Sequence, residues 1–221
     1  ALDAKWEDFS PEIKERALMC ATDLMGALIL GSYGGQYAAG AKLAKTCGME
    51  GNIPVVGDSR RFNLLGAAIA MGHSSNSFDI DDGFNMIKGH PGTYFVAGTL
   101  AAALSKQVSY REYLTTLVVC YEVTIRWALT MQAHYGFLHS TGTYGAFGTA
   151  LGVGRLLGLD EKALNNALSI ADYHAPLTPV MRAVEYPSMN KDGVPFGALT
   201  GTMAVLETLC GSTGKTHLLE I

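Results

Sequence analysis

The sequence predicts an all-α fold on three observations. Apolar residues recur at three-and-four spacing over long stretches, helix-start signals stand ahead of those stretches, and alternating β-branched runs are nearly absent. Apolar content of 48% over 221 residues is enough for a sizeable core, so one domain spanning 1–221 is expected, with 210–221 as an exit segment. Charged residues make up only 16% and the net charge is −4, which argues against a nucleic-acid surface or a polybasic membrane patch. The 26 glycines are dispersed inside apolar segments, the pattern of closely packed helices. Low charge and many small residues point to a homo-oligomer, expected as a dimer paired through glycine- and alanine-rich helix faces such as residues 142–154.

Ser10-Pro11-Glu12 starts the first helix with a hydroxyl cap, a proline at the first helical position and an acid in the first turn. The helix should run to about residue 31, burying Ile13, Ala17, Cys20, Ala21, Leu24 and Leu28. GSYGG breaks it, and a small-residue helix through Ala38, Ala39, Leu43 and Ala44 ends at Gly48. Residues 49–61 read as a loop with a short strand at 53–56. Asn63 caps a helix from Leu64 to about Gly72. Residues 93–104 are apolar on nearly every side, which predicts a central helix. Ser109-Tyr110-Arg111-Glu112 matches a capping box before a long helix to about Met131, with His134 and His139 in the loop beyond. Residues 142–157 carry Gly145, Gly148, Gly152 and Gly154, each costing about 1 kcal/mol of helix propensity against alanine, so a packing or site requirement is implied. Asp160 caps the next helix, to about Tyr173, and a last helix runs from Phe196 to about Cys210.

Cys20, Cys47, Cys120 and Cys210 stand far apart without metal or redox spacing and read as small buried thiols in a reducing compartment. Asp23, Arg126 and the glycine clusters interrupt the longest apolar runs, so no membrane span is expected. With no signal peptide at its start, the chain is expected to be cytoplasmic.

Chemistry concentrates in GHSSNSFDIDDGFNMIKGHP, residues 72–91, where Asp79, Asp81, Asp82, His73, His90 and Lys88 lie between two apolar helices. Two further polar islands hold His134 with His139, and Arg182 with Lys191 and Asp192. The second of these lies in the long proline-rich connection 174–195, a length that is usually functional. Alternate loops of an antiparallel bundle converge on one end, so the islands can share a site. From the residues alone, His139 reads as either a helix-cap histidine or a proton carrier, and Lys191 as a turn lysine or a carboxylate binder. His73, His174 and His217 read as caps or surface groups. Asp-Ile-Asp-Asp-Gly opens like a calcium loop, but its twelfth position is His90 where a bidentate glutamate is needed. A divalent ion held by Asp79, Asp82 and His90 stays open.

Several segments, in order, resemble the helical domain of the MmgE/PrpD family, which includes 2-methylcitrate dehydratase, cis-aconitate decarboxylase and iminodisuccinate epimerase. SPEIKERALMCATDLMGALILGS is similar to its first helix, and AAIAMGHSSNSFDIDDGFNMIKGHPG to its Asp-Phe-Asp-Asp stretch followed by His-Pro. HSTGTYGAFGTALGVGRLLGLD resembles its His-x-Thr-Gly-Thr segment, MNKDGVPFGALTGTMAVL its lysine segment, and GSTG its exit turn. The Asp79 to His90 spacing is one residue longer than in the decarboxylase branch, and the Lys191 segment is closer to the epimerase-like branch.

The resemblance implies an enzyme of lyase type, without metal or organic cofactor, acting on a small di- or tricarboxylate such as 2-methylcitrate. Carried over by position, its catalytic residues fall on Asp79, His90, His139 and Lys191, with Asp82, Lys88, Thr141 and Arg182 expected to bind substrate. Removing a proton next to a carboxylate builds an enolate-like dianion, which needs a base near neutral pH and cations where charge accumulates. Histidine and lysine supply these. Dehydration, epimerisation and decarboxylation share that logic, and which histidine is the base stays open. The resemblance also implies a smaller α+β lid, expected here as a separate polypeptide in a split enzyme. A non-catalytic helical binding module is the reading from a different class.

Overall fold

The computed structural model describes residues 1–186, 188 and 192–215. Nine α-helices are formed among them: α1 (Pro11–Gly31), α2 (Gly35–Thr46), α3 (Leu64–Ser75), α4 (Pro91–Lys106), α5 (Tyr110–His134), α6 (Gly142–Leu157), α7 (Glu161–Tyr173), α8 (Met181–Glu185) and α9 (Val194–Leu209). The all-α reading is correct. Ser10, Asn63, Ser109 and Asp160 all cap as expected, each side-chain oxygen accepting the N–H three residues on. At Ser109 the Glu112 carboxylate instead accepts from Arg155 at 2.9 Å, and Arg155 also gathers the carbonyls of Ala1, Leu2 and Ala4.

Two apolar cores meet at α4. Tyr94, Phe95 and Ala102 face a core built with α5, α6 and α7, while Val96, Ala97 and Ala101 face one built with α1, α2 and α3. That is why α4 is apolar on nearly every side. The glycines of α6 serve close approach: a Cβ on Gly152 would lie 2.1 Å from Thr99 Cγ2 of α4 and 2.7 Å from Cys120 Sγ of α5. At this separation only glycine lets the three helices meet.

Several expectations need correction. Residues 142–154 are buried throughout, against α9, α4, α5 and α7, so that glycine face is not available for self-pairing. Ile13 of α1, expected to be buried, is exposed, and α2, whose facing was not assigned, turns Tyr37, Gly40, Ala41 and Ala44 inward and Ala38, Ala39 and Leu43 outward. Of the cysteines only Cys120 is buried, with Cys20 intermediate and Cys47 and Cys210 exposed. His73 is buried in α3, its Cδ2 lying 2.3 Å from where a Cβ on Gly40 would stand, and burial pulls its pKa down. His134 ends α5 and does not lie beyond it. By length and composition α5 could cross a membrane, although most of its apolar stretch is packed inside the protein.

The 49–61 segment is more ordered than expected. β1 (Glu50–Pro54) pairs antiparallel with β2 (Arg61–Phe62), with Pro54 opposite Arg61. Asp58 closes the turn by accepting from the Tyr37 hydroxyl at 2.8 Å and from the Arg60 guanidinium. The expected short strand at 53–56 thus lies at Glu50–Pro54, and its partner β2, only two residues long, is too short for alternation to reveal.

Candidate active site

The loop between α3 and α4 is pinned at its middle. Ile87 is fully buried in the core, its carbonyl accepts from Gln132 of α5 at 2.9 Å, and Phe84 bridges Gly89 across the turn. Fixing the loop there leaves its two ends to bring Asp79, Asp81 and Asp82 against His90, the N-cap residue of α4. Asn76, at the end of α3, donates to both Asp81 oxygens at 2.9 and 3.0 Å and to Asp79 Oδ1 at 3.4 Å. His90 Nδ1 is 3.2 Å from Asp81 Oδ2 and 2.9 Å from the Asp82 carbonyl, while Nε2 lies 3.5 Å from Asp79 and 3.7 Å from Asp192.

Asp192 joins this cluster to a second one. Its carbonyl accepts the Gly142 N–H at 2.7 Å, at the start of α6 and next to His139, Ser140 and Thr141. The 138–143 segment is held in turn by the 174–193 connection: His139 pairs with Pro179, Ser140 N–H donates to Thr178 at 2.7 Å, and Thr143 Oγ1 donates to Pro176 at 2.7 Å. A cleft of about 400 Å³ opens along that junction, lined by Ser140, Thr178, Arg182, Tyr186, Asp192 and Gly193 among others. Residues from all three polar islands therefore meet at one end of the bundle. Among the described residues only four besides glycine have positive φ, and three of them belong here: Asp79 (58°), Lys88 (55°) and Asp192 (49°). Such backbone costs about 1 kcal/mol per residue and concentrates where a site dictates geometry.

The family model of the MmgE/PrpD N-terminal domain matches residues 1–221, the whole chain. The chain belongs to the MmgE/PrpD family. Members of that family are dehydratases or related enzymes. No curated protein matches the chain.

In this MmgE/PrpD chain, Asp79, His90 and the His139 to Gly142 segment are linked as described. Arg182 lines the cleft, with Nη1 3.2 Å from Thr178 Oγ1. Thr141 is buried, its Oγ1 2.8 Å from where a Cβ on Gly89 would sit. Lys88 is exposed on the turn over residues 85–88. Lys191 lies outside the described residues. Asp82, expected to bind substrate, is turned inward instead: its carboxylate accepts the Gly92 N–H at 2.9 and 3.1 Å and the Tyr121 hydroxyl at 2.9 Å. Three residues given no role from the sequence complete the cluster. Asp81 carried a signal in the Asp-Ile-Asp-Asp run, whereas Asn76 and Tyr121 carried none.

The two histidines sit in opposite environments. Around His90 burial lowers the pKa, but the hydrogen bond and charge of Asp81, with Asp192 and Asp79, more than reverse this and bring it to about 9. His139 is 1% exposed, burial pulls its pKa down, and its Nε2 is buried without a hydrogen-bond partner among the described residues. Its ring stands edge-on to Tyr144, whose hydroxyl is pushed up to about 12 by burial. The carboxylates thus favour the imidazolium form of His90, and burial favours the neutral imidazole at His139. The donor atoms of Asp79, His90 and Asp192 all lie within 4.8 Å of one another, so among the described residues those three, and not Asp82, are the set that could hold a metal ion.

Proposed function

We propose that this chain supplies the proton-transfer centre of a lyase-type enzyme that dehydrates a small di- or tricarboxylate, such as 2-methylcitrate, without metal or organic cofactor. His139 Nε2 takes the proton from the carbon next to a carboxylate, and the hydroxyl on the adjacent carbon leaves as water with a proton from His90. The electron pair of the broken C–H bond becomes the new carbon–carbon double bond. Arg182 and Lys191 hold substrate carboxylates, and Asp79 orients His90.

The observation that carries the reading is the contrast between the two histidines. An acid and a base can work side by side only if their environments drive their pKa values apart, and carboxylates around one with an apolar wall around the other do so. Incubating the chain with 2-methylcitrate and related polycarboxylates in D2O, with products followed by NMR, tests it. An olefinic product supports dehydration; deuterated substrate of inverted configuration would replace it with epimerisation, and released CO2 with decarboxylation. His139→Ala should abolish turnover with helical content unchanged, and a fully active variant would overturn the assignment. Binding of these acids with no turnover of any, even with candidate lid polypeptides added, would favour a binding module.

A further inference from the structure

Asp82 performs two tasks at once. Its main-chain oxygen sits 2.9 Å from His90 Nδ1, and its carboxylate, ten residues before Gly92, receives the Gly92 N–H at the start of α4. His90, the N-cap residue itself, makes no side-chain cap bond, so the Asp82 carboxylate takes over that office from a distance. Holding it there is the hydroxyl of Tyr121, 2.9 Å away on α5. The three groups close in so tightly that a Cβ on Gly92 would lie 2.2 Å from the Tyr121 hydroxyl and 2.8 Å from Asp82 Oδ2. The Tyr121 ring is fixed in turn, edge-on to Phe95 of α4 with centroids 5.0 Å apart.

We propose that Tyr121 is a positioning residue for His90, acting through Asp82. By holding the Asp82 carboxylate over the first turn of α4, it sets where the Asp82 carbonyl stands, and that carbonyl takes the Nδ1–H of His90. With Nδ1 committed, the ring orientation is fixed and Nε2 is the nitrogen presented to Asp79 and Asp192. The inference rests on His90 belonging to the site, and it does not depend on which reaction the site performs. A tyrosine that only braced α5 against α4 would affect stability and leave the imidazole of His90 as it is.

The test is carried out on the full chain labelled with 15N-histidine, following each imidazole by NMR through a pH titration. Tyr121→Phe keeps the ring against Phe95 and removes only the hydroxyl. In that variant His90 is expected to lose its fixed Nδ1 hydrogen bond and to swing away from Asp81, lowering its midpoint by about half a unit or more, while His139 keeps its wild-type signals. Asp82→Ala, which removes the acceptor that serves both Gly92 and Tyr121, should move His90 in the same direction. A His90 titration superimposable on wild type in either folded variant would overturn the proposal, even if the melting temperature fell. Absence of turnover on any polycarboxylate would instead defeat the dehydration reading and leave this result standing.

Discussion

Replacing His90 with glutamine should remove a pH dependence of stability that the carboxylate cage creates. The folded-state pKa of about 9 exceeds the ordinary 6.5, so the folded protein binds the proton more tightly than the unfolded chain does. A raised pKa of this kind contributes stability that is fully present below pH 6.5 and is lost as pH rises through about 9. The difference of about 2.5 units, at about 1.4 kcal/mol per unit, amounts to about 3–4 kcal/mol in all, of which about 3 is lost between about pH 6 and about pH 9.5. With the imidazole only 22% exposed, solvent screening removes little of it. Urea unfolding of wild type and His90→Gln at about pH 6 and about pH 9.5 gives the measurement. Wild type should lose about 3 kcal/mol more than the variant between the two, because lysine, tyrosine and cysteine titration is common to both and cancels. An equal loss in the two proteins would refute the claim that Asp79, Asp81 and Asp192 hold His90 charged.

Three further outcomes are expected. Gly152→Ala places a methyl against Thr99 and Cys120 and should destabilise the fold by about 1–3 kcal/mol in urea titrations, so an unchanged midpoint would contradict the α4–α5–α6 packing. A thiol reagent should label exposed Cys47 and Cys210 promptly and reach buried Cys120 only on unfolding, which mass spectrometry of the labelled peptides would show. Chelator treatment should leave turnover unchanged, whereas activity restored only by a divalent ion would point to metal chemistry at Asp79, His90 and Asp192.

Helix positions were readable from the sequence because caps and periodicity act locally: Ser10, Asn63, Ser109 and Asp160 each announce a helix within four residues. Facing was harder. An α2 made largely of glycine, alanine and lysine has almost the same polarity on every side, so Ala38, Ala39 and Leu43 could not be told from Gly40, Ala41 and Ala44 without their neighbours. The same holds for His73, whose burial depends on a glycine 33 positions earlier in the chain. At the site, the charge-rich composition of 72–91 exposed Asp79 and His90, and resemblance exposed His139. Tyr121 stayed hidden, since a tyrosine at an inward position of a long helix looks like core. Only folding brings its hydroxyl to a carboxylate 39 residues away. The inward contacts of Asp82 were hidden for the converse reason: the acids of Asp79-Ile80-Asp81-Asp82 look alike until the chain turns one of them toward Gly92 and Tyr121.

The sharing of α4 between two cores has a consequence for how the molecule comes apart. A helix that lines only one core can detach while the other persists, leaving a partly opened form for proteases to find. Here detachment of α4 withdraws Tyr94 and Phe95 from one core and Val96, Ala97 and Ala101 from the other in a single event. The two halves are thus bound into one cooperative unit, with His90 at the N-cap of the helix that joins them.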